Sequence, residues 1–438
     1  MTCNSGVEYT RLSLTPEIAL HFYHLMTRTL TILAAIFLAC LVLAALGGLF
    51  WANNIAVKSQ PIEKDFLVPW LGARTFLQYG DDPYGDPATQ RAQIVYYGKL
   101  AADGQDPLVL WLPLPVELFY FPIALVKDYT LARTIWQTCV EIALVALAFS
   151  SMRLAGWKPG RLLLPVVLLF PLAWVYGAIT LTSGSAAAFV ALALAGFLLA
   201  LRKERDELAG GLLIFLVSAA RLTGILSIFI FWWVFYQRRW RVLWGFLMGL
   251  AVLLALSFLF LPGWFLPFLR GLMSHYAYSP AFTTTGILAG MSPIVGLRFG
   301  WVLAGILLLV LFFEWGTTLR KDFRTFVWTT CLTISLTPLV SVPLAPREYP
   351  ILAIPLILIM AMLAERRPWI KSWGLAGMIM VVIVAGSWWL TLGLAGSNAY
   401  TTLANSLILL MPILLTAGLA WMRWWFIHPK PGRQETVA

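Results

Sequence analysis

The stretch "LTILAAIFLACLVLAALGGLFWA", residues 30–52, is an apolar run without a single charged side chain. A helix of about 20 apolar residues crosses the roughly 30 Å hydrocarbon layer of a bilayer, so this run predicts a membrane helix. Similar runs recur along the whole chain, which is 60% hydrophobic and 12% charged over 438 residues. We therefore predict an all-α polytopic membrane protein, because backbone groups in lipid must be satisfied internally and the runs lack β-barrel alternation.

Twelve runs are predicted to form membrane helices in one transmembrane bundle that occupies residues 30–425. They cover residues 30–52, 108–126, 131–152, 161–179, 185–201, 208–236, 241–262, 299–317, 325–343, 349–364, 373–393 and 403–422. Two of them leave alternatives open. The run at 108–126 could stop short of crossing, and the run at 208–236 could fold back as a hairpin at "SAARLTG" (218–224).

Clusters of Lys and Arg between the runs predict the orientation, because cytoplasmic loops are enriched in these residues. The clusters lie at 237–241, 320–324, 365–371 and 423–433. We therefore expect residues 1–29 and the tail 426–438 to be cytoplasmic, the long loops 53–107 and 263–298 to be external, and the protein to reside in a prokaryotic cytoplasmic membrane. The net charge of +11 is accounted for by such clusters facing anionic lipid, so no nucleic-acid partner is expected.

Each long external loop contains a predicted interfacial helix. In "FLVPWLGARTFLQYG" (66–80), Phe66, Trp70, Ala73 and Leu77 recur at helical spacing, which favours a helix with its aromatic face in lipid. The second helix is "WFLPFLRGLMSHYAY" (264–278), whose aromatic residues are also typical of a membrane-interface belt.

Asp65 is the first candidate functional residue, because it lies at the predicted lipid–water boundary, where partial desolvation and nearby cations tune a carboxylate as a base. From spacing alone an N-cap of the interfacial helix is the favoured role, since Asp is a common cap residue. Asp82 is a weaker substrate-binding candidate, since its place among Gly and Pro also suits a turn.

Charged residues inside or beside apolar runs supply the other candidates. Arg221 is predicted to be functional, because an intramembrane charge is costly unless it is paired or faces a polar cavity. Arg347 could hold a phosphate through its bidentate guanidinium, although it and Glu348 could also form plain surface ion pairs. Weaker substrate-binding candidates are Arg270, His275, Tyr276 and Glu348.

Several chemistries are not indicated by the sequence. It contains no GxxxxGK[ST] phosphate loop, no HExxH and no GxSxG, and its four cysteines show no paired or metal-ligand spacing. We therefore expect no metal and no required cofactor.

Taken in order, several blocks resemble glycosyltransferase family 87 of the GT-C superfamily, the membrane enzymes that use polyprenyl-phosphate sugars. The blocks are "KDFLVPWLGARTFLQYGDDPYGD" (64–86), "WLPLPVELFYFPIAL" (111–125), "LARTIWQTCVEIALVALAF" (131–149), a central pair of helices up to "SAARLTG", and "FLRGLMSHYAYSP" (268–280). The family's Lys-Pro pair corresponds here to Arg221 and Leu222.

The resemblance implies a GT-C-like bundle with an external active site and inverting transfer of a sugar from a lipid-linked sugar phosphate. Asp65 matches the catalytic acid position of the family. Arg221 and Arg347 would then bind the donor phosphate, and the acceptor would be a glycolipid, a glycan or a protein. The alternative is a polytopic transporter or lipid flippase, which would favour internal repeats with paired broken helices. A third reading is a non-catalytic membrane scaffold, for which a change at Asp65 would carry no penalty.

Overall fold

The computed structural model describes residues 16–278, 283–366, 374–394 and 400–427. Within these residues the chain is helical and contains no β-strand. The first 15 residues, the tail beyond Ile427 and residues 367–371 of the third basic cluster, all predicted to be cytoplasmic, lie outside the described part.

The described chain forms nineteen α-helices and three short 3-10 helices. The α-helices are α1 Pro16–Ser59, α2 Lys64–Tyr79, α3 Asp86–Tyr97, α4 Leu114–Glu117, α5 Phe121–Ala124, α6 Tyr129–Ala155, α7 Leu163–Ala173, α8 Val175–Ser183, α9 Ala187–Arg202, α10 Asp206–Ser218, α11 Ala220–Tyr236, α12 Trp240–Phe260, α13 Phe265–Tyr278, α14 Thr284–Met291, α15 Val295–Thr318, α16 Phe323–Leu336, α17 Ala353–Arg366, α18 Gly374–Leu394 and α19 Tyr400–Ile427. The 3-10 helices are Leu118–Tyr120, Thr337–Val340 and Pro346–Leu352.

Seven helical segments of the described chain are long and apolar enough to cross a membrane, or eight if the pair α7 and α8, bent by 49°, forms one span. These segments agree with a polytopic helical membrane protein. Shorter apolar helices, among them α9 and α11, account for other predicted runs.

Contacts divide the chain into two units, residues 1–58 and 59–438. The first contains nearly all of α1, which extends beyond the predicted run of 30–52 at both ends. The second has a continuous apolar core that includes the fully buried rings of Trp174, Tyr176, Phe229 and Phe326.

The segment 108–126 is not a continuous helix, which favours the alternative that it stops short of crossing the membrane. Its first residues have no regular structure, and only the short helices α4 and α5, separated by a 3-10 turn, follow. The segment is interrupted by Pro113, Pro115 and Pro122, each of which lacks the N–H that a helix needs. One carbonyl of this irregular stretch is satisfied by a side chain of the preceding loop, since Tyr84 Oη donates to the oxygen of Leu112 at 2.7 Å.

The run 208–236 folds back as a hairpin, as the sequence had left possible, and does not form a single helix. Arg239, just beyond α11, has its Nη1 3.2 Å from Asp206 Oδ1 at the start of α10, and it also donates to the carbonyl of Leu201. The chain therefore returns to the level at which α10 began. The turn falls at Ala219, whose N–H donates to the carbonyl of Leu216.

The basic segments of the second unit meet at one end of the bundle. Arg202 donates to the carbonyls of Arg153 and Leu154, which joins the segment 202–207 to 153–161. Gln237 donates to the carbonyl of Leu319 at 2.9 Å, which joins 237–241 to 320–324. The hairpin thus brings together basic segments that twelve unbroken crossings would have separated.

Candidate functional site

Helix α2 carries Asp65 in its first turn. The helix begins at Lys64, and Glu63 is the N-cap residue without a side-chain cap bond. Neither carboxylate oxygen of Asp65 accepts a hydrogen bond from the described residues, so the expected capping role is wrong. Pro69, four residues later, has no N–H to offer the carbonyl of Asp65, which loosens the backbone at this turn.

The aromatic face of α2 packs against protein and not against lipid, which corrects the prediction. Phe66, Trp70 and Ala73 are buried, and only Leu77 of the predicted face is exposed. The ring of Phe66 lies 5.6 Å from that of Trp136 on α6, and Trp70 Nε1 donates to the carbonyl of Ile123. These contacts fix the helix that carries Asp65 against α5 and α6.

Asp65 lines a cavity of about 510 Å³. The cavity is mostly apolar, and its charged side chains come from α2, from α11 and from the 3-10 helix Pro346–Leu352. Six sequence-predicted residues line it, namely Asp65, Arg221, His275, Tyr276, Arg347 and Glu348. The structure brings these residues together, and their functional roles stay predictions.

The closest charge to Asp65 is Arg347. Its Nε lies 2.7 Å from Asp65 Oδ2, in an ion pair whose carboxylate is only 8% exposed. Burial raises the pKa of Asp65, and the Arg347 guanidinium opposes this rise. A carboxylate with a raised pKa and unused lone pairs is suited to accept a proton.

Arg221 lies just after the turn of the α10–α11 hairpin, with its guanidinium in the cavity. Its Nε donates to the carbonyl of Pro343, and its Cζ lies 5.7 Å from the ring of Tyr276. Glu348 Oε1 is 3.9 Å away from the same Nε. Its Nη2 is buried and has no hydrogen-bond partner in the described residues. Arg221 is thus held by Pro343, Tyr276 and Glu348, while the N–H groups of its Nη2 remain available to a ligand.

Glu348 is held by the backbone as well as by Arg221. Its Oε2 accepts the N–H of Ala345 at 2.8 Å, at the start of the 3-10 helix. Both Arg347 and Glu348 therefore pair across the cavity with a partner of opposite charge, and neither is the plain surface pair that the sequence left open.

His275 stacks on Trp111, with ring centroids 4.2 Å apart and planes 14° from parallel. Burial, together with the charges of Arg221, Lys64 and Arg347, lowers the pKa of His275 to about 4. At neutral pH the imidazole is therefore uncharged, and it offers one N–H donor and one acceptor nitrogen to a ligand in place of a positive charge.

Two weaker candidates lie away from the cavity. Arg270 is exposed on α13, and Asp82 accepts the N–H of Tyr84 at 2.9 Å within a turn. The turn-forming alternative for Asp82 therefore fits its geometry. Neither side chain lines the cavity, so we do not include either in the proposed site.

Arg133 on α6 was missed by the sequence reasoning. It is buried and donates to the carbonyls of Leu181, Thr182 and Ser183 at the end of α8. The next residue, Gly184, has φ +73°, and a Cβ there would lie 2.1 Å from Arg133 Nη1. Since Ser185 and Ala186 line the cavity directly afterwards, Arg133 shapes its wall, and only the Ala-Arg-x-x-Trp block hinted at this role.

Among the described residues no three His, Cys, Asp or Glu side chains are grouped so that they could hold a metal ion. The cations that the cavity presents to an anionic ligand are the guanidinium groups of Arg221 and Arg347.

The comparisons with known proteins give no match. No protein-family model matches the chain, no curated protein is similar to it, and no solved structure resembles it. The resemblance to glycosyltransferase family 87 stays a hypothesis, and the function has to be argued from the cavity.

Proposed function

We propose that the protein is an inverting glycosyltransferase that moves a sugar from a polyprenyl-phosphate donor to an acceptor hydroxyl. The observation that carries the proposal is the composition of the cavity: a buried carboxylate that has no partner among the described residues apart from Arg347, two guanidinium groups and a long apolar wall. A lipid-linked sugar phosphate has an anomeric carbon that the acceptor hydroxyl attacks, an anionic phosphate and an apolar chain. The carboxylate, the guanidinium groups and the apolar wall of the cavity suit these three parts in turn.

In this proposal Asp65 is the general base. It takes the proton from the acceptor hydroxyl as that oxygen forms a bond to the anomeric carbon of the donor. The bond from this carbon to the phosphate oxygen breaks, and its electron pair leaves with the phosphate. A single direct displacement inverts the anomeric configuration, and it requires only one carboxylate.

Arg221 and Arg347 stabilise the departing phosphate, which gains negative charge as the bond breaks. Fixed donors aimed at such developing charge are among the largest contributions to catalysis. Arg221 suits this task because its position is set by Pro343, Tyr276 and Glu348 while Nη2 stays unused. Because the phosphate is already a good leaving group, no metal is needed in this proposal.

The apolar part of the cavity would hold the start of the lipid chain. It is formed by side chains from α9, α10 and α12, namely Val190, Phe215, Phe246, Leu250 and Leu253. This wall favours a long isoprenyl or acyl chain over a soluble nucleotide-sugar donor. The sugar, mannose-like or another hexose or pentose, is left open.

We place the active site on the external face of a prokaryotic cytoplasmic membrane, with both termini cytoplasmic. The basic segments share one end of the bundle, and Arg133 beside the cavity is 20 residues from Arg153 along α6, which corresponds to about 30 Å. By the positive-inside rule the cavity then faces outward. In this arrangement the two legs of the hairpin each make a pass, so twelve passes remain although 108–126 does not cross.

The test uses purified protein in lipid vesicles with a panel of polyprenyl-phosphate sugars, radiolabelled in the sugar, and a panel of glycolipid, glycan and peptide acceptors. We expect release of polyprenyl phosphate together with a glycoside of inverted anomeric configuration, identified by NMR. Retention of configuration, or donors that bind without any cleavage, would contradict the proposed reaction.

A transporter or lipid flippase is the second candidate. The observation that favours it is the bend of 49° between α7 and α8, with the hairpin break next to a charged cavity, since transporters use broken helices at their sites. The two functions separate in the same vesicles: a flippase moves an intact labelled lipid phosphate to the other leaflet, whereas a glycosyltransferase cleaves it.

A further inference from the structure

Two ion pairs cross the cavity, and they differ in how firmly they are held. In one pair, Glu348 is bound to the N–H of Ala345 while Arg221 is bound to the carbonyl of Pro343. In the other pair, Arg347 Nε lies 2.7 Å from Asp65 Oδ2, and neither side chain has a further partner among the described residues, so each is held only by the other. The Asp65–Arg347 contact is therefore the one that can be exchanged for a ligand.

Arg347 has a fixed backbone and a side chain that is 24% exposed. Its carbonyl accepts the hydroxyl of Thr180 on α8 at 2.7 Å, which anchors the residue from outside the cavity. A guanidinium on an anchored backbone can swing between two anions within reach without any movement of a helix. Asp65 is one such anion, and a phosphate that occupies the cavity would be the other.

We propose that Arg347 is a latch on Asp65: in the empty cavity it neutralises the carboxylate, and an anionic headgroup that binds takes Arg347 away and so frees Asp65 to act as a base. This inference rests on the proposed function for its ligand, a phosphate diester on an apolar chain. Its consequence is that the base becomes reactive only after the donor has bound.

The charges that face Asp65 are consistent with a latch. Besides Arg347 they come from its own helix, from α6, from α11, from the residue before α2 and from the 3-10 helix that contains Arg347, namely Lys64, Arg133, Arg221, Glu63 and Glu348. Arg133 is committed to the three carbonyls at the end of α8, and Arg221 to Pro343 and Glu348. Lys64 is paired with Asp106. Arg347 is the cation of this set whose side chain has no other ion pair or hydrogen bond among the described residues.

The latch also balances charge during the reaction. As Asp65 gains the acceptor proton it loses its need for a counter-ion, and at the same time the departing phosphate gains one negative charge. Because Arg347 has moved to the phosphate on binding, its guanidinium is already in place when negative charge passes from the base to the leaving group.

The test measures binding and does not need turnover. The probe is a phosphate diester of farnesol and methanol, whose single charge does not titrate near neutral pH, and its Kd is measured by calorimetry on the full-length protein. The variants are Asp65→Asn, Arg347→Met and the double variant, with Glu63→Gln as the matched control for removal of a nearby carboxylate.

We expect Asp65→Asn to bind the probe about tenfold more tightly than the wild type, because Arg347 is no longer held by the carboxylate. In the Arg347→Met background this gain disappears, and Glu63→Gln changes the Kd by less than about threefold. If Arg347→Met does not fold, as judged by its melting curve, Arg347→Gln takes its place with the same expectations.

The latch is overturned if Asp65→Asn binds no more tightly than the wild type, or if the same gain persists without Arg347. In either case the probe still binds, so the proposed function stands. A probe that binds to no variant overturns the latch and the phosphate ligand together. If the Kd values show the expected coupling between Asp65 and Arg347 but no sugar is transferred in vesicles, the latch is supported and the proposed glycosyltransferase activity is rejected.

Discussion

Arg239 Nη1 lies 3.2 Å from Asp206 Oδ1, and this contact closes the base of the α10–α11 hairpin. It puts both ends of the hairpin beside the basic segments and leaves Arg221 near the opposite, turning end. A charge that would be costly in lipid is therefore presented to a cavity.

The first prediction concerns the side of the membrane on which these segments lie. In a cysteine-free background we expect Lys158→Cys, Lys203→Cys and Arg320→Cys, all at exposed positions, to react with an impermeant maleimide only from the cytoplasmic side. Lys99→Cys, in the loop of 53–107, should react only from outside. Labelling of position 158 or 203 from the same side as position 99 would show that 208–236 does not return as a hairpin.

Glu117 is a fully buried carboxyl whose two oxygens have no hydrogen-bond partner in the described residues. Burial raises its pKa well above the usual value of 4.5, although the nearby backbone N–H of Ala73 opposes the rise. The carboxyl of Glu117 is then protonated in the folded protein. The stability that it contributes is fully present below pH 4.5, its usual pKa, and is lost as the pH rises towards its pKa in the folded protein.

We therefore expect Glu117→Gln to match the wild type near pH 4.5 and to melt at a higher temperature at pH 7. The difference should grow by about 1.4 kcal/mol for each pH unit until the folded pKa is reached. The measurement is the apparent melting temperature in detergent at pH 4.5, 6 and 7, with the exposed Asp103→Asn as the control. A glutamine variant that is less stable at pH 7 would mean that Glu117 is ionised and paired.

His275 yields a prediction of opposite pH dependence. Its pKa is lowered to about 4, so the stability that depends on the neutral ring is present above about pH 6.5 and is lost as the pH falls towards 4. His275→Phe keeps a flat ring on Trp111 without a titrating group. We expect the wild type to lose stability relative to His275→Phe as the pH falls from 6.5 to 4.5, because Glu117 and the other titrating groups are common to both proteins.

His275→Ala serves as the comparison, because it removes the stack as well as the titrating group. It should be about 1 kcal/mol less stable than His275→Phe at every pH. Parallel pH curves for the wild type and His275→Phe would show that protonation of His275 does not matter to the fold.

Arg133 is predicted to be structural and sensitive to conservative change. Arg133→Lys should destabilise the protein nearly as much as Arg133→Met, by about 3 kcal/mol, because an ammonium cannot reach three carbonyls with fork geometry. Arg153→Met, exposed at the other end of α6, is the control and should change the melting temperature little. A Lys variant as stable as the wild type would contradict this role.

The fold could be predicted from the sequence where one physical cause dominated. Long apolar runs such as 30–52 and 299–317 correspond to helices, because the membrane sets their length and composition. The run at 108–126 has the composition of a membrane helix without being one continuous helix, because mean hydropathy takes no account of its prolines. In the same way, the spacing of Phe66 and Trp70 indicates a helix face but not whether lipid or α6 covers it.

The charged residues of the site could be predicted from the sequence, but the residues that hold them in place could not. Asp65, Arg221 and Arg347 stood out because a charge near apolar sequence requires an explanation. Trp111 and Ser185 look ordinary in the sequence, since their place in the cavity depends on contacts between distant segments. For Arg133 only tertiary structure reveals the three carbonyls that it binds.

The most direct test of the account compares Asp65→Asn with Asp82→Asn in vesicles, using the donor that is active with the wild type. Both changes remove one carboxylate from the same loop, but only Asp65 lines the cavity. The account predicts that Asp65→Asn lowers transfer by about a thousandfold while donor binding persists, and that Asp82→Asn stays close to the wild type. Equal turnover in the wild type and Asp65→Asn would contradict the assignment of Asp65 as the base.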